Sequence, residues 1–530
     1  MPGPSGSADP ATTLVTNPDR KDFRALARDH AVVPVWRELL ADLTTPVSLF
    51  ARCVGDGEGF LLESVDRGET WGRWSFIGRN PSLTLTSGGT GSPGAGRLDV
   101  DGDLPAGIRT DEGMLAALED LLAHYRSPVI EGLPPLHGGL MGYLGYDVVR
   151  EVEHLPDVPP DDRGFPDGIM SVIGEMVAID HWRQRAVLLA NVVVPEPSGD
   201  PVADAAALNA AYDEAVARLD QLASDGARPL DEPLMAPPDP ADEPPEVTST
   251  MGAELYGAAV GAAREHILAG DVFQVVLSQR FDVELDAEPY DVYRVLRQVN
   301  PSPYMYFLRY EDLTVVGASP EPMVQLLDGR VVSRPIAGTR RRGRTELDDR
   351  RMAAELAEDP KEVAEHVMLV DLARNDVGRV VAYGTEEVEE MMTLERYSHV
   401  MHLTSQVVGQ LAEGRTPIDV LRATLPAGTV SGAPKVRAME IIDALEPVKR
   451  GPYAGVVGYF DFTGNIDTAI AIRTMFVRDG IASVQAGAGI VADSVPELEH
   501  LECQNKARAL LSTIPAARRM TAARRAAAGD

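Results

Sequence analysis

The chain reads as an α+β protein in which antiparallel sheets pack against helices. Its 530 residues are 44% hydrophobic, which supports substantial cores. Amphipathic helical segments mix with short β-rich runs, and many of those runs follow one another with no helix between them. That order favours antiparallel pairing over a doubly wound parallel sheet. No internal repeat is visible.

Residues 1–20 are polar and rich in Pro and Gly, and are expected to be poorly ordered. Between 21 and 226 lie strand-like runs at 46–54 (PVSLFARCV) and 185–194 (RAVLLANVVV), then an expected helix at 203–224. The segment 227–250 repeats prolines and acidic residues that sustain neither a helix nor a central strand, so it reads as a linker. Residues 251–514 form the second region, with helices expected at 254–269, 347–374, 435–446 and 496–512. Its expected strands are 272–285, 304–310, 314–319, 455–462 and 468–477. The Arg/Ala-rich end, 515–530, shows no apolar face and reads as a disordered tail.

A net charge of −32 argues against nucleic-acid binding, which needs a basic surface. The opening residues lack a signal-peptide pattern, and the most apolar stretch, 186–195, is too short to span a bilayer, so a cytoplasmic protein without membrane contact is expected. Two cysteines, Cys53 and Cys503, make neither a disulfide framework nor a four-thiolate zinc site.

On a helix, Glu499, Glu502 and Lys506 fall at i, i+3 and i+7, and Glu362 and Glu365 repeat the i, i+3 spacing on another. Two such pairs facing each other repel unless a hard cation such as Mg²⁺ sits between them. The same spacing also suits a solvated helix face. Glu497 with His500, and His399 with His402, have the spacing of di-iron carboxylate helices, which require a bundle that this strand-rich half does not offer. Around Pro434, Gly428, Gly432 and Lys435 suggest a phosphate loop, but Val436 stands where Ser or Thr is needed. Such a loop at a helix N-terminus can instead cradle a carboxylate. Gly487 and Gly489 allow either close backbone approach to an anion or a tight turn.

Eight ordered motifs carry a resemblance: GASPE (317–321), PIAGTRRRG (335–343), AEHVMLVDLARND (364–376), SHVMHLTS (398–405), AGTVSGAPK (427–435), PYAGVVGYFD (452–461), TAIAIRT (468–474) and the acidic last helix. The chain resembles the chorismate-utilising enzymes from about residue 45 to 512. That resemblance implies two packed antiparallel sheets with flanking helices, an N-terminal regulatory region (21–226) and a C-terminal chorismate-binding domain (251–514). It implies Mg²⁺ on Glu365 and Glu502, with Glu362 and Glu499 nearby or acting through water. Arg473, Tyr453, Lys506, Thr429 and the backbone at Gly487 and Gly489 would hold the substrate. Glu321 resembles the general acid for the departing C4 hydroxyl, which requires a raised pKa, and His402 the residue of the pyruvate-loss step.

Two positions select among the family's reactions. Ala337 stands where relatives forming aminodeoxychorismate carry a nucleophilic Lys, and Gln274 where water-activating relatives carry a Lys; an amide has no basic nitrogen. What remains is ammonia entry at C2, giving anthranilate and pyruvate, a step in tryptophan biosynthesis. The alternatives are an aminodeoxychorismate-forming enzyme and a catalytically dead amino-acid-binding regulator. Residues 61–75 and 300–307 resemble the tryptophan-sensing element of anthranilate-forming members, placing inhibitor contacts at Leu62, Glu63, Ser64, Pro303, Tyr304 and Met305. Neither cysteine sits on a nucleophile elbow, so a separate glutamine amidotransferase subunit, and hence a hetero-oligomer, is expected.

Overall fold

The computed structural model describes residues 14–64, 72–88, 96–396 and 400–528. Among these residues the strands form two antiparallel sheets, one of 12 strands and one of 11. Alternation along each strand decides what it faces. In Tyr304–Arg309, Met305 and Phe307 enter a core shared with helices, while Tyr306 and Leu308 enter the core between the sheets. The first core is capped by Gly252–Ala269, Pro289–Val299 and Pro496–Leu511. On the far side of the second sheet, Pro360–Gly378 and Pro417–Thr424 cover a third core.

The linker at 227–250 does not divide the sheets. Strand Gly59–Glu63 pairs with Tyr304–Arg309, and Gly139–Leu144 pairs with Val456–Asp461, so each sheet draws strands from both sides of it. The expected separation into a regulatory region and a catalytic domain is therefore a division of sequence and not of sheets. Pairing is non-local, and proline-rich composition reports only that the connecting segment is irregular.

Four local expectations change. Residues 46–54, expected as a strand, form the helix Pro46–Cys53, because Thr45 and Ser48 make a reciprocal capping box and Pro46 starts the first turn. The single helix expected at 347–374 is two, Glu346–Glu358 and Pro360–Gly378, broken where Asp359 caps the second. The run 468–477 is also two strands, Ile466–Ile470 in one sheet and Thr474–Arg478 in the other. Finally, the tail forms the helix Ile514–Ala528. Its buried face is Ile514 with the small Ala516 and Ala517, too little to read as an apolar stripe. Thr521 donates to Asp291 at 2.8 Å and accepts from the Glu288 amide at 2.9 Å. At the other end, residues 1–13 lie outside the described residues, while Asn17 bridges to Trp36 and Asp19 caps Arg20–Leu26.

Candidate active site

A cavity of about 540 Å³ opens where the two sheets meet helices Pro360–Gly378 and Pro496–Leu511. Strands Gln274–Glu284 and Ile481–Ile490 form its floor, pairing Val276 with Gly489 and Ser278 with Gly487. Glycine leaves the floor open: a Cβ on Gly487 would stand 2.8 Å from the Leu277 carbonyl, a backbone atom that cannot swing away, whereas one on Gly489 would displace only the end of the Gln274 side chain, 2.4 Å off. Every catalytic, substrate and metal residue expected from the sequence borders this one cavity: Glu321, His402, Thr429, Tyr453, Arg473, Gly487, Gly489, Lys506, Glu362, Glu365, Glu499 and Glu502. Ala337 and Gln274 border it too.

Glu321 follows a strand end and accepts a hydrogen bond from Thr429 Oγ1 at 2.9 Å. Burial pushes its carboxyl up to about 7, against the opposing pull of Thr429, Lys506 and Arg473. The group is thus a proton donor at neutral pH. His402, on strand Val400–Gln410, lies 3.0 Å through Nδ1 from the Gly338 carbonyl. A carbonyl only accepts, so Nδ1 carries the proton and Nε2 the lone pair of the neutral ring. Burial lowers the ring's pKa and favours that neutral form.

Arg473 connects the two strands of the broken 468–477 run and takes a positive φ of 50°. Non-glycine residues hold that conformation at a cost of about 1–3 kcal/mol, which here turns the guanidinium toward the cavity. Lys506 donates to Glu502 at 2.7 Å and to the Gly487 carbonyl at 2.8 Å. Burial keeps the Tyr453 hydroxyl protonated.

The four glutamates come from two helices facing the cavity. Burial raises Glu365, and the charges of Glu362 and Glu502 raise it further. Burial likewise raises Glu499, with Glu502 adding to it. Repelling hard-oxygen donors of this kind fit a divalent cation such as Mg²⁺. In the present arrangement Arg340 holds Glu362 at 2.9 Å, Lys506 holds Glu502, and Gln274 donates to Glu365 at 3.3 Å. Among the described residues, no three His, Cys, Asp or Glu are gathered as a metal cluster.

The two segments expected to sense tryptophan also meet. Met305 pairs with Glu63, and Tyr306 with Leu62, on neighbouring strands. The six expected contacts nevertheless divide between the sheet's faces: Met305 joins the helix-side core, whereas Leu62 and Tyr304 pack toward the other sheet. Glu63, one of the expected inhibitor contacts, is already committed. It accepts from Tyr293 at 2.6 Å and pairs with Arg297 at 2.8 Å. Ser64 Oγ is buried without a hydrogen-bond partner, and Pro303 sits in the turn before the strand. Residues 65–71 of the first segment lie outside the described residues.

The rival chemistries find no support. Lys435 donates to Asp376 at 2.9 Å and to the Thr424 carbonyl, and so closes a buried contact in place of a phosphate site. His402 lies on a strand, which removes the helix pairing of a di-iron bundle, and His399 is outside the described residues. Burial pushes both thiols, Cys53 and Cys503, up to about 11, so neither is a ready nucleophile. The sequence reading missed Lys361, which borders the cavity, and Arg340, which holds Glu362. The first had a signal, since it is one of only five lysines in the chain.

The family model for chorismate binding enzymes matches residues 76–512. The chain belongs to this family. Its similarity to anthranilate synthase component 1 of Mycolicibacterium smegmatis is 45% identity over 97% of this chain and 96% of that one. With anthranilate synthase component 1 of Acetivibrio thermocellus it is 44%, over 94% and 98%. The solved anthranilate synthase component I from Streptococcus pneumoniae superposes with a TM-score of 0.72 at 36% identity, covering 84% of this chain and 93% of that one. The chain's α+β architecture sets its cavity between sheets and helices. Among the described residues no helix is long and apolar enough to cross a membrane.

Proposed function

We propose that the chain is the chorismate-converting subunit of a cytoplasmic anthranilate synthase, making anthranilate, pyruvate and water from chorismate and ammonia. The observation that supports this most is the buried Glu321, its carboxyl pushed up to about 7 and hydrogen-bonded by Thr429, in a cavity that also holds Arg473, Lys506 and Tyr453, with Ala and Gln at the two reaction-selecting positions. Ammonia adds at C2 while Glu321 gives its proton to the C4 hydroxyl, which departs as water. His402, neutral with its lone pair on Nε2, is placed to take a proton as the ring becomes aromatic and pyruvate leaves. Arg473, Lys506 and Tyr453 supply cations and a donor for the two substrate carboxylates. Glu365 and Glu502 would hold Mg²⁺, assisted by Glu362 and Glu499, and the ion would neutralise the ring carboxylate.

The name component 1 borne by the relatives supports a second component, which we take to be a glutamine amidotransferase that delivers the ammonia. The joined strands 59–63 and 304–309 support inhibition by L-tryptophan, held by backbone groups and the Pro303–Met305 region, since Glu63 is occupied. The purified chain, given chorismate, Mg²⁺ and an ammonium salt, should form fluorescent anthranilate. A 4-amino product would instead select the aminodeoxychorismate reading, and no product from chorismate would select the inactive regulator.

A further inference from the structure

We infer that Arg450, which does not border the cavity, is the positioning residue for the general acid: the Arg450–Glu446 pair fixes Thr429, and through Thr429 the carboxyl of Glu321. This rests on the reading of Glu321 as the acid for the departing hydroxyl. Arg450 is only 4% exposed, and each arm of its guanidinium is used. Nη1 donates to the Val430 carbonyl at 2.6 Å, and Nη2 to the Val276 carbonyl at 2.7 Å. Nε and Nη2 also grip Glu446 at 2.9 and 2.6 Å. Glu446 in turn accepts from the Ser278 amide at 2.8 Å and from its hydroxyl at 2.9 Å.

The two carbonyls belong to different walls. Val276 lies on the cavity floor, and Val430 ends the single turn Gly428–Val430 that carries Thr429. One planar cation therefore sets the distance between floor and turn, and the turn sets the 2.9 Å contact from Thr429 to Glu321. The guanidinium carbon also lies 5.7 Å from the Tyr453 ring centroid. Hydrophobic packing could fill the same space, but it would not orient the Thr429 hydroxyl.

Arg450→Lys tests this, because an ammonium keeps a charge beside Glu446 yet lacks the planar fork that spans both carbonyls. Its kcat for anthranilate formation should fall about tenfold or more, with a smaller change in chorismate KM. The loss should be non-additive with Thr429→Ala, so the double variant should be little slower than Thr429→Ala alone. If Arg450→Lys shows no cooperative melt, the same cycle is run with Glu446→Gln, and the same non-additivity is expected. Losses that multiply independently, or an unchanged kcat in a folded variant, overturn the inference alone. A wild-type chain that makes no anthranilate overturns the reading of the site and this inference with it.

Discussion

The acid role proposed for Glu321 depends on its being costly to ionise. Its carboxyl is raised from 4.5 to about 7 by burial, so it favours the protonated form in the fold more than in the unfolded chain. The folded state therefore binds the extra proton, and stability falls as pH rises from near 4.5 through about 7. Because the group borders an open cavity, the penalty above that window is about 1–3 kcal/mol, less than the full shift implies. Glu321→Gln should thus abolish turnover yet raise the melting temperature at pH 8, with little gain at pH 4. A variant that melts no higher than wild type at pH 8 would refute the buried-acid account. The same group should make kcat/KM for chorismate fall as pH rises through about 7, whereas free NH₃ becomes more abundant, so the pH profile of ammonium-driven kcat/KM should be bell-shaped. At this scale the sequence was informative: residue type and motif placed twelve residues on one cavity. What it hid were partnerships formed across the fold, such as Arg297 on Glu63 and Arg340 on Glu362.

Two helices carry the carboxylates, and each is positioned by its first turn. Pro360 and Asp359 start one sharply, and Pro496 starts the other, so Glu362 and Glu499 both fall within a turn of a helix N-terminus. Glu502→Gln, on the second helix, should weaken Mg²⁺ binding by at least about tenfold in calorimetry while leaving the circular-dichroism melt near that of wild type. Equal Mg²⁺ affinity in the variant would remove the ion from these helices. Elements were legible wherever periodicity ran unbroken, as in Gly252–Ala269. They were misread where a cap or a single residue decided the matter. Thr45 turns an apolar run into a helix, and the left-handed backbone at Arg473 cuts one apparent strand into two that serve different sheets.

Over the whole molecule, the strands proposed to sense tryptophan and the cavity share one framework. Tyr304 donates across the inter-sheet space to Asp467 at 2.9 Å, and Asp467 lies on the strand that leads into Arg473. Tryptophan would inhibit by favouring one arrangement of these strands, and a coupling of roughly 1–3 kcal/mol gives about 5- to 150-fold effects. Ser64→Phe should relieve inhibition at least about tenfold in tryptophan titrations, with kcat retained, because Ser64 borders none of the catalytic groups. Unchanged inhibition, or no tryptophan binding by the wild-type chain, would leave the regulatory reading without support. The α+β class was visible in the order of runs, but strand order was not, because the ladders that join the two halves, such as Gly59–Glu63 with Tyr304–Arg309 and Gly139–Leu144 with Val456–Asp461, link segments hundreds of residues apart.

That interleaving bears on how the protein is made. Leu144 must wait for Val456, about 300 residues later, before its strand gains that neighbour. At about 5–20 residues per second, the ribosome leaves that edge open for roughly 15 to 60 s, a long exposure for unpaired strand. The nascent chain should therefore travel with holdase chaperones until late in translation. Ribosome-bound chains stalled before residue 456 should co-purify with such chaperones, and chains stalled after their last strand has emerged should not.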